Sequence, residues 1–379
     1  MPDNLDDPAQ LEAADPEGML RAIASSAAQV REAAVLAAEA GVVSLTEDGR
    51  PRAVVVCGMG GSGIAGDVLA AVAGTGSPVP VLTHRGYGLP AWVGPVDLVV
   101  AVSCSGTTEE TLSGLEEAVR RGCRLLVVGR DGSPLEDLGR RGRAVFVPVT
   151  QGRQPRASVW ALSTPLVVAG HALGLLHAPP EAVEAAAVVL EQVADRCRLD
   201  ADAVINPAKR LAAGLDGVLP VLWGTSPLAG AAAYRFACQL NENAQLPATW
   251  GTLPEASHNQ VVVLDRPSAP ARAGDADGFF RDREQDEDSE AGLALVLLRD
   301  VDEHPQVALR ADLSAELARE RDVVVHELRA EGDSSFARMA SLVGLTDWAS
   351  AYLAIAQGTD PTPVEVLTAL KRRLARPRD

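Results

Sequence analysis

The sequence predicts an α/β protein built from two tandem units, each a parallel β-sheet flanked by helices. Short β-branched runs alternate with helical stretches from Ala53 to Val149, a pattern typical of parallel sheets with helices on both faces. A second strand, glycine turn and long helix begin near Gly217, which suggests a diverged internal repeat. Of the 379 residues, 47% are hydrophobic, enough to bury a sizeable core.

We expect two domains, residues 1–178 and residues 179–379. Residues 17–41 are rich in alanine, with apolar residues at helical spacing, and predict a leading helix. Two more helices, Ser158–Leu176 and Pro180–Arg198, are expected to lead from the first sheet to the second unit. The predicted strands of the first sheet are Val54–Cys57, Val79–Thr83, Leu98–Ser103, Arg124–Val128 and Ala144–Pro148.

The second unit is predicted to start with a strand that ends at Gly224, followed by a turn and a long helix. Its other predicted strands are Val261–Leu264, Leu293–Leu298 and Asp322–Glu327, with helices through Leu374. Between Asp265 and Gly292 the chain is too charged and too rich in proline and glycine to be ordered by burial, so we expect a mobile surface loop. A role for this loop as a lid over the site stays open.

Composition excludes several classes of function. A net charge of −17 opposes nonspecific binding to nucleic acids and anionic membranes. The N-terminus is acidic and no run of about 18 uncharged apolar residues occurs, so we expect a cytoplasmic protein. The cysteines lack CxxC spacing, which argues against a metal site or a disulfide framework; they are Cys57, Cys104, Cys123, Cys197 and Cys238.

The stretch "GMGGSGIAGD", Gly58–Asp67, lies between a predicted strand and a predicted helix. Backbone N–H groups at such a helix start attract an anion. The stretch also fits the GxGxxG motif of dinucleotide-binding folds, but such a site requires an acidic residue about 20 positions later. The next strand instead ends in Thr83, His84 and Arg85, and since Arg85 would suit a 2′-phosphate, NADP stays open as an alternative.

A second polar stretch, "VSCSGTTEET", follows the next buried strand. It places four hydroxyls, those of Ser103, Ser105, Thr107 and Thr108, at a strand-to-helix turn. Serine and threonine are common at helix N-caps, but four together beside a glycine turn of the same sheet favour a phosphate monoester site.

Six segments, in order and over nearly the whole chain, resemble the sugar isomerase (SIS) domain proteins, and among them the two-domain bifunctional phosphoglucose/phosphomannose isomerases. The segments are "GMGGSGIAGD", "VSCSGTTEET", "QPRAS" (Gln154–Ser158), "RFACQLNENAQ" (Arg235–Gln245), "PEASHNQ" (Pro254–Gln260) and "SAYLAIAQGTDPTPVEVLTALK" (Ser350–Lys371).

The resemblance implies two tandem SIS domains, each a flavodoxin-like parallel sheet. It implies an aldose–ketose isomerase that acts on hexose 6-phosphates through a cis-enediolate, without a metal or an organic cofactor. It also implies a homodimer with a shared active site, in which the neighbouring subunit contributes a histidine.

By the same resemblance, Glu242 is the general base, His258 the ring-opening histidine, Arg156 the active-site arginine and Lys371 the lysine near the C-terminus. The residues expected to bind the substrate phosphate are Gly60, Gly61, Ser62, Ser103, Ser105 and Thr108.

These residue types suit the chemistry. One carboxylate on a rigid helix can move a proton between C1 and C2, as Glu242 would. A fixed cation such as Arg156 lowers the energy of the negatively charged enediolate. An imidazole such as that of His258 can donate or accept a proton near neutral pH when the sugar ring opens.

The chain departs from the family pattern at two positions. Gln260 replaces an acidic residue close to His258, and Gln245 replaces a lysine; either change could mark an altered substrate. The second half also has no serine-rich counterpart of Ser103–Thr108, so we expect one phosphate site per chain.

Two further alternatives stay open. The chain could be a non-catalytic sensor or regulator that binds a sugar phosphate, although the joint presence of Glu242, His258 and Arg156 argues against this. A relative of glucosamine-6-phosphate synthase is less favoured, since no N-terminal glutaminase cysteine follows Met1. The sequence does not decide between the glucose and mannose epimers.

Overall fold

Two parallel β-sheets and the helices around them make up the computed structural model, which describes residues 5–265 and 292–374. The nine described strands are β1 (Val54–Cys57), β2 (Val81–His84), β3 (Leu98–Ser103), β4 (Arg124–Gly129), β5 (Val145–Pro148), β6 (Val218–Gly224), β7 (Thr249–Thr252), β8 (Gly292–Arg299) and β9 (Val324–Arg329). The described α-helices are α1 (Pro8–Ala14), α2 (Met19–Ala24), α3 (Ser26–Glu39), α4 (Gly60–Ala73), α5 (Glu109–Arg120), α6 (Pro134–Arg141), α7 (Val159–Ala172), α8 (Pro180–Arg196), α9 (Pro207–Leu215), α10 (Pro227–Asn243), α11 (Ala256–Asn259), α12 (Pro305–Arg319), α13 (Ser335–Ala356) and α14 (Glu365–Leu374).

The first sheet has the strand order β2-β1-β3-β4-β5, and all its pairs are parallel. This is the flavodoxin-like order, in which ligands bind where the connections leave β1 and β3 in opposite directions. Strands β1 and β3 are buried along their whole length, as their valine-rich sequences require in a sheet covered on both faces. The predicted fold class and the five predicted strands of this sheet are confirmed, apart from shifts of one or two residues at their ends.

The second sheet has the order β7-β6-β8-β9 and is also parallel. The prediction of a strand at Val261–Leu264 is wrong, because residues Gln260–Asp265 form a 3-10 helix. Of the four predicted strand residues only Leu264 is buried, while Val262 and Val263 are exposed. The remaining strand of this sheet is instead β7, an edge strand that pairs with β6 and that the sequence did not predict.

Helices from both halves share one core between the sheets. Helix α13 packs against α8, α9, α10 and α4, and α7 packs against α3 and α4. By length and composition α13 could cross a membrane, but 89% of its most apolar stretch is buried inside the protein. Its apolar composition is therefore explained by its position in the core of the protein.

The predicted leading helix over residues 17–41 is divided in two. Helix α2 ends before Ser25 and α3 begins after it, while the Asp15 carboxylate accepts hydrogen bonds from the amides of Met19 and Leu20 at 2.8 Å each. The acidic loop expected between Asp265 and Gly292 falls on residues 266–291, outside the described residues. The domain boundary at residue 178 stays a prediction.

Candidate active site

Two helix N-termini meet at the carboxyl edge of the first sheet. Helix α4 starts where β1 ends and α5 starts shortly after β3 ends, and these two strands are hydrogen-bonded neighbours. Gly60 has a φ of 51°, a conformation that favours glycine. Within the described chain no side chain of the N-cap residue, Met59 or Thr108, caps either helix. The first-turn amides of both helices are thus available to an anion.

The hydroxyls predicted to bind phosphate lie together beside these helix starts. Ser62 Oγ accepts a hydrogen bond from the Cys104 amide at 3.2 Å, which joins the glycine turn to the serine-rich turn. Ser103 Oγ lies 2.9 Å from Thr108 Oγ1 and 3.4 Å from Ser105 Oγ. Ser103 is fully buried, whereas Ser105 is exposed. The cluster therefore opens to solvent on the Ser105 side.

The segment Gln154–Ser158 lies against this cluster. A Cβ placed on Gly61 would lie 3.8 Å from the carbonyl oxygen of Pro155, and the Cys104 thiol hydrogen-bonds with Ser158. Arg156 lies in the short 3-10 helix Pro155–Ala157. It therefore directly follows the residue whose carbonyl approaches the glycine turn.

Glu242 reaches this region from the second half of the chain. It lies in the last turn of α10, and its Oε2 atom is 3.7 Å from Arg156 Nε. The Glu242 side chain is 33% exposed and that of Arg156 11% exposed, so the carboxylate is accessible while the guanidinium is largely enclosed. Burial lowers the pKa of Arg156, and the nearby carboxylates, Glu242 foremost, oppose that shift; the guanidinium stays charged at neutral pH.

His258 and Lys371 are both exposed on the surface. His258 lies in the one-turn helix α11 and Lys371 in α14. Across residues 5–265 and 292–374, neither side chain makes a hydrogen bond or ion pair with Glu242 or Arg156. The structure thus brings together the hydroxyl cluster, Arg156 and Glu242 within one chain, and leaves His258 and Lys371 on the surface.

Four buried polar residues behind Arg156 were not singled out from the sequence. Arg235 and Asn243 of α10, and Asp347 and Ser350 of α13, are each less than 3% exposed. Arg235 and Asp347 could have been noticed from the sequence, because each is a charged residue in an otherwise apolar helical stretch. Such a residue is almost never fully buried without a partner, so the two together indicate a buried pair.

Arg85, the residue that kept NADP open, has local partners. It forms an ion pair with Asp67 of α4, and its guanidinium carbon lies 5.3 Å from the ring centre of Tyr234. Tyr234 in turn contacts Trp250 of β7, with ring centres 4.7 Å apart. These contacts link the first sheet to the second unit and occupy the side chain that a 2′-phosphate would need.

The two departures from the family pattern have structural settings. Gln260 accepts a hydrogen bond from Trp223 Nε1 at 2.7 Å and donates one to the Trp250 carbonyl at 3.1 Å, so it ties two strands together. Gln245 is exposed and has a φ of 53° just after α10.

The second unit has a carboxylate where the first unit has its hydroxyl cluster. Asp300, after β8, accepts a hydrogen bond from Ser226 Oγ at the start of α10 and another from Arg338 Nε, both at 2.8 Å. Ser226 Oγ in turn accepts a hydrogen bond from the Ala229 amide, so this helix start is capped by a serine that is bound to Asp300. One phosphate site per chain stays a prediction. The described residues hold no group of three or more His, Cys, Asp or Glu side chains arranged to bind a metal ion.

Known proteins resemble the chain over most of its length. Residues 204–374 match the family model of the bacterial phospho-glucose isomerase C-terminal SIS domain. The chain is 32% identical over 326 residues to the bifunctional phosphoglucose/phosphomannose isomerase of Caldicellulosiruptor bescii, covering 86% of this chain and 90% of that protein. The enzyme of the same name from Aquifex aeolicus is 31% identical over 324 residues, or 85% of this chain and 90% of its own length.

A crystallised protein of Thermus thermophilus shares the fold, with a TM-score of 0.66 and 18% identity over 97% of this chain and 94% of its own. The fold, the six segments and the identity of 31% and 32% to the two enzymes over about 85% of the chain all point to the same family. The chain belongs to the bifunctional phosphoglucose/phosphomannose isomerase family.

Proposed function

We propose that this protein interconverts glucose 6-phosphate, mannose 6-phosphate or both with fructose 6-phosphate through a cis-enediolate. One observation carries the proposal. The Glu242 carboxylate lies 3.7 Å from Arg156, whose segment packs on the glycine turn beside the hydroxyl cluster. A base, a cation and an anion site are thereby adjacent, which is what this isomerisation requires.

We assign the substrate phosphate to the cluster at the starts of α4 and α5. The amides of Gly60 and Gly61 and the hydroxyls of Ser62, Ser103, Ser105 and Thr108 would donate to its oxygens. Two helix N-termini add favourable electrostatics for a dianion. The phosphate would then fix the hexose so that its C1 and C2 atoms extend toward Glu242.

The proton transfer is assigned to Glu242. In the direction from aldose to ketose its carboxylate takes the proton from C2, and the resulting carboxylic acid returns the proton to C1. Between these two steps the enediolate carries negative charge on oxygen, and Arg156 stabilises it. The hydroxyl proton also passes from O2 to O1 of the cis-enediolate, so that the ketose is left with a carbonyl at C2 and a hydroxyl at C1.

Ring opening is assigned to His258, with Lys371 as a second candidate, and we propose that the histidine comes from the neighbouring subunit of a homodimer. The exposed position of both side chains supports this. We also propose a cytoplasmic location without membrane or nucleic-acid partners, since the net charge of −17 opposes such contacts.

A sensor that binds a sugar phosphate without turnover is not favoured, because the full-length relatives are named as isomerases. The experiment is to incubate the purified protein separately with glucose 6-phosphate and mannose 6-phosphate, and to measure fructose 6-phosphate. We expect turnover of at least one of them and none of unphosphorylated glucose or mannose. Tight binding of both phosphates with no turnover of either would favour the sensor instead.

A further inference from the structure

Behind Arg156 the buried polar residues form a closed ring of hydrogen bonds. Arg156 Nη1 donates to Asn243 Oδ1 at 2.6 Å, and Asn243 Nδ2 donates to Ser350 Oγ at 2.9 Å. Ser350 Oγ donates to the Asp347 carbonyl at 2.7 Å. The Asp347 carboxylate accepts two hydrogen bonds from Arg235, at 2.9 and 2.7 Å, and Arg235 Nη2 donates to the Arg156 carbonyl at 2.9 Å.

The ring holds Arg156 at both ends of the residue. Asn243 fixes the guanidinium, while Arg235 fixes the backbone carbonyl. The ring spans three elements, the 3-10 helix of Arg156, helix α10 and helix α13, and its members on the two long helices are all buried. A shift of any one element would therefore move the guanidinium relative to Glu242.

The acceptors of the Arg156 guanidinium are mostly neutral. Besides Asn243, it donates to the carbonyls of Glu242 and Pro361, each at 2.9 Å, and to that of Thr362. The Glu242 carboxylate lies further away, at 3.7 Å from Nε. Neutral acceptors orient a guanidinium without cancelling its charge, so the charge stays available to a developing oxyanion.

We propose that Asn243, Ser350 and the Arg235–Asp347 pair are positioning residues, which hold Arg156 in the orientation that stabilises the enediolate. This inference rests on the proposed isomerase function for its kinetic consequences only. Among the described residues, no member of the ring hydrogen-bonds to a hydroxyl of the cluster, so weakening the ring should lower kcat and leave KM for the sugar phosphate nearly unchanged.

Ser350→Ala is the smallest probe of the ring, because it removes the acceptor of Asn243 Nδ2. Ser163→Ala is the matched control: Ser163 is equally buried, and its hydroxyl donates only to the Val159 carbonyl of its own helix α7. We expect Ser350→Ala to lower kcat about tenfold, with KM within about twofold, since small misplacements of an aligned group are costly. Ser163→Ala should change neither constant.

A double-mutant cycle separates positioning from general stability. If Ser350 acts through Arg156, then Ser350→Ala should have almost no further effect on kcat in an Arg156→Lys background. Asn243→Asp gives a second probe, because it places a carboxylate against the guanidinium and so cancels its charge; we expect a larger loss of kcat than for Ser350→Ala.

A spectroscopic measurement tests the ring even without turnover. The ¹⁵N–¹H signal of Arg156 Nε, assigned by its loss in Arg156→Lys, should be sharp and slow to exchange in the wild type and in Ser163→Ala. It should broaden or vanish in Ser350→Ala. Absence of hexose phosphate turnover by the wild type would refute the proposed function alone. An unchanged Arg156 signal, equal kcat for Ser350→Ala and Ser163→Ala, or fully multiplicative effects in the cycle would overturn the positioning role.

Discussion

At the scale of single residues, the arginine of the site combines a charge with a fixed direction. Arg156 donates to three backbone carbonyls and to one side-chain amide, which only a planar fork of several donors can do. A lysine would keep the charge and lose the geometry. The proposed role in stabilising the enediolate therefore makes a conservative substitution informative.

Arg156→Lys should lower kcat about 100-fold, the usual loss when a stabilising donor is removed from a transition state, with a much smaller change in KM. Arg153→Lys is the control from the same segment, since Arg153 pairs with Glu32 and not with the site. Steady-state kinetics of both variants make the comparison. Equal losses in the two would mean that the segment matters only for folding.

The exposed hydroxyl of Ser105 offers a separate test of the phosphate site. Ser105→Ala should raise KM about tenfold and leave kcat nearly unchanged, because a hydrogen bond to a charged group contributes equally in the ground and transition states. Ser44→Ala is the control, an exposed serine that donates to the Gly41 carbonyl in its own turn. A fall in kcat with constant KM for Ser105→Ala would count against phosphate binding there.

Much of the geometry of the candidate site was predictable at this scale because the carboxyl ends of neighbouring parallel strands meet at one edge. That rule brings Ser62 close to Ser103 and Ser105. The Arg235–Asp347 pair was not predictable in the same way. Its members are 112 residues apart, and they meet only because two long helices pack side by side.

At the scale of elements, the sequence prediction was accurate for the buried strands and failed where the chain is exposed. Strands β1 and β3 are apolar on both faces and were predicted with their observed bounds. Strand β7 has only four residues, two of them exposed, and lacks any alternation that would mark a strand. The valine run at Val261–Leu264 has the composition of a strand, but Val262 and Val263 are exposed and the run forms a 3-10 helix.

An ion pair joins Arg52, just before β1, to Asp97, just before β3. It predicts that the stability of the fold depends on pH. Burial opposes ionisation of Asp97, but hydrogen bonds from Arg52 and Gly94 outweigh it and hold the pKa of Asp97 below its ordinary value. A carboxyl whose pKa is lower in the folded state stabilises the fold above its unfolded pKa, about 3.9, and loses that effect as the pH falls further.

Asp97→Asn should therefore lower the free energy of unfolding at pH 7, and the difference from the wild type should shrink as the pH falls from about 4 to 2. Glu331→Gln breaks an exposed pair with Arg196 and is the control, with a loss several-fold smaller. Urea unfolding at a series of pH values measures both. A difference for Asp97→Asn that is constant across this range would contradict the assigned pKa direction.

At the scale of the whole molecule, both halves of the chain contribute to the candidate site. The first half provides the hydroxyl cluster proposed to bind phosphate and Arg156, while the second half provides Glu242 and most of the ring behind Arg156. The tandem arrangement was predictable from the repeated strand–turn–helix pattern. The approach of the two halves was not, because it depends on α4, α10 and α13 packing in one shared core.

The proposed homodimer makes a prediction about mixed subunits. If His258 serves the site of the neighbouring subunit, a hybrid of Glu242→Gln and His258→Ala chains contains one intact site. Refolding the two inactive variants together at equal amounts should restore about a quarter of the wild-type activity, since half of the randomly paired dimers are hybrids. No recovery, with hybrid dimers demonstrated by mass spectrometry, would assign His258 to its own subunit.

The most direct measurement of the central claim is isotope exchange in deuterated water with Glu242→Gln. The wild type should place deuterium at C2 of the recovered aldose 6-phosphate and at C1 of fructose 6-phosphate. Glu242→Gln should lose both exchange and turnover by about 10³-fold, the scale of general base catalysis, while binding of the sugar phosphate, measured by calorimetry, stays within a few-fold of the wild type.

Glu191→Gln is the matched control, since Glu191 is exposed, lies on helix α8 outside the site and pairs with Arg31. It should exchange like the wild type. Deuterium incorporation by Glu242→Gln at the wild-type rate would show that another group moves the proton and would contradict the account.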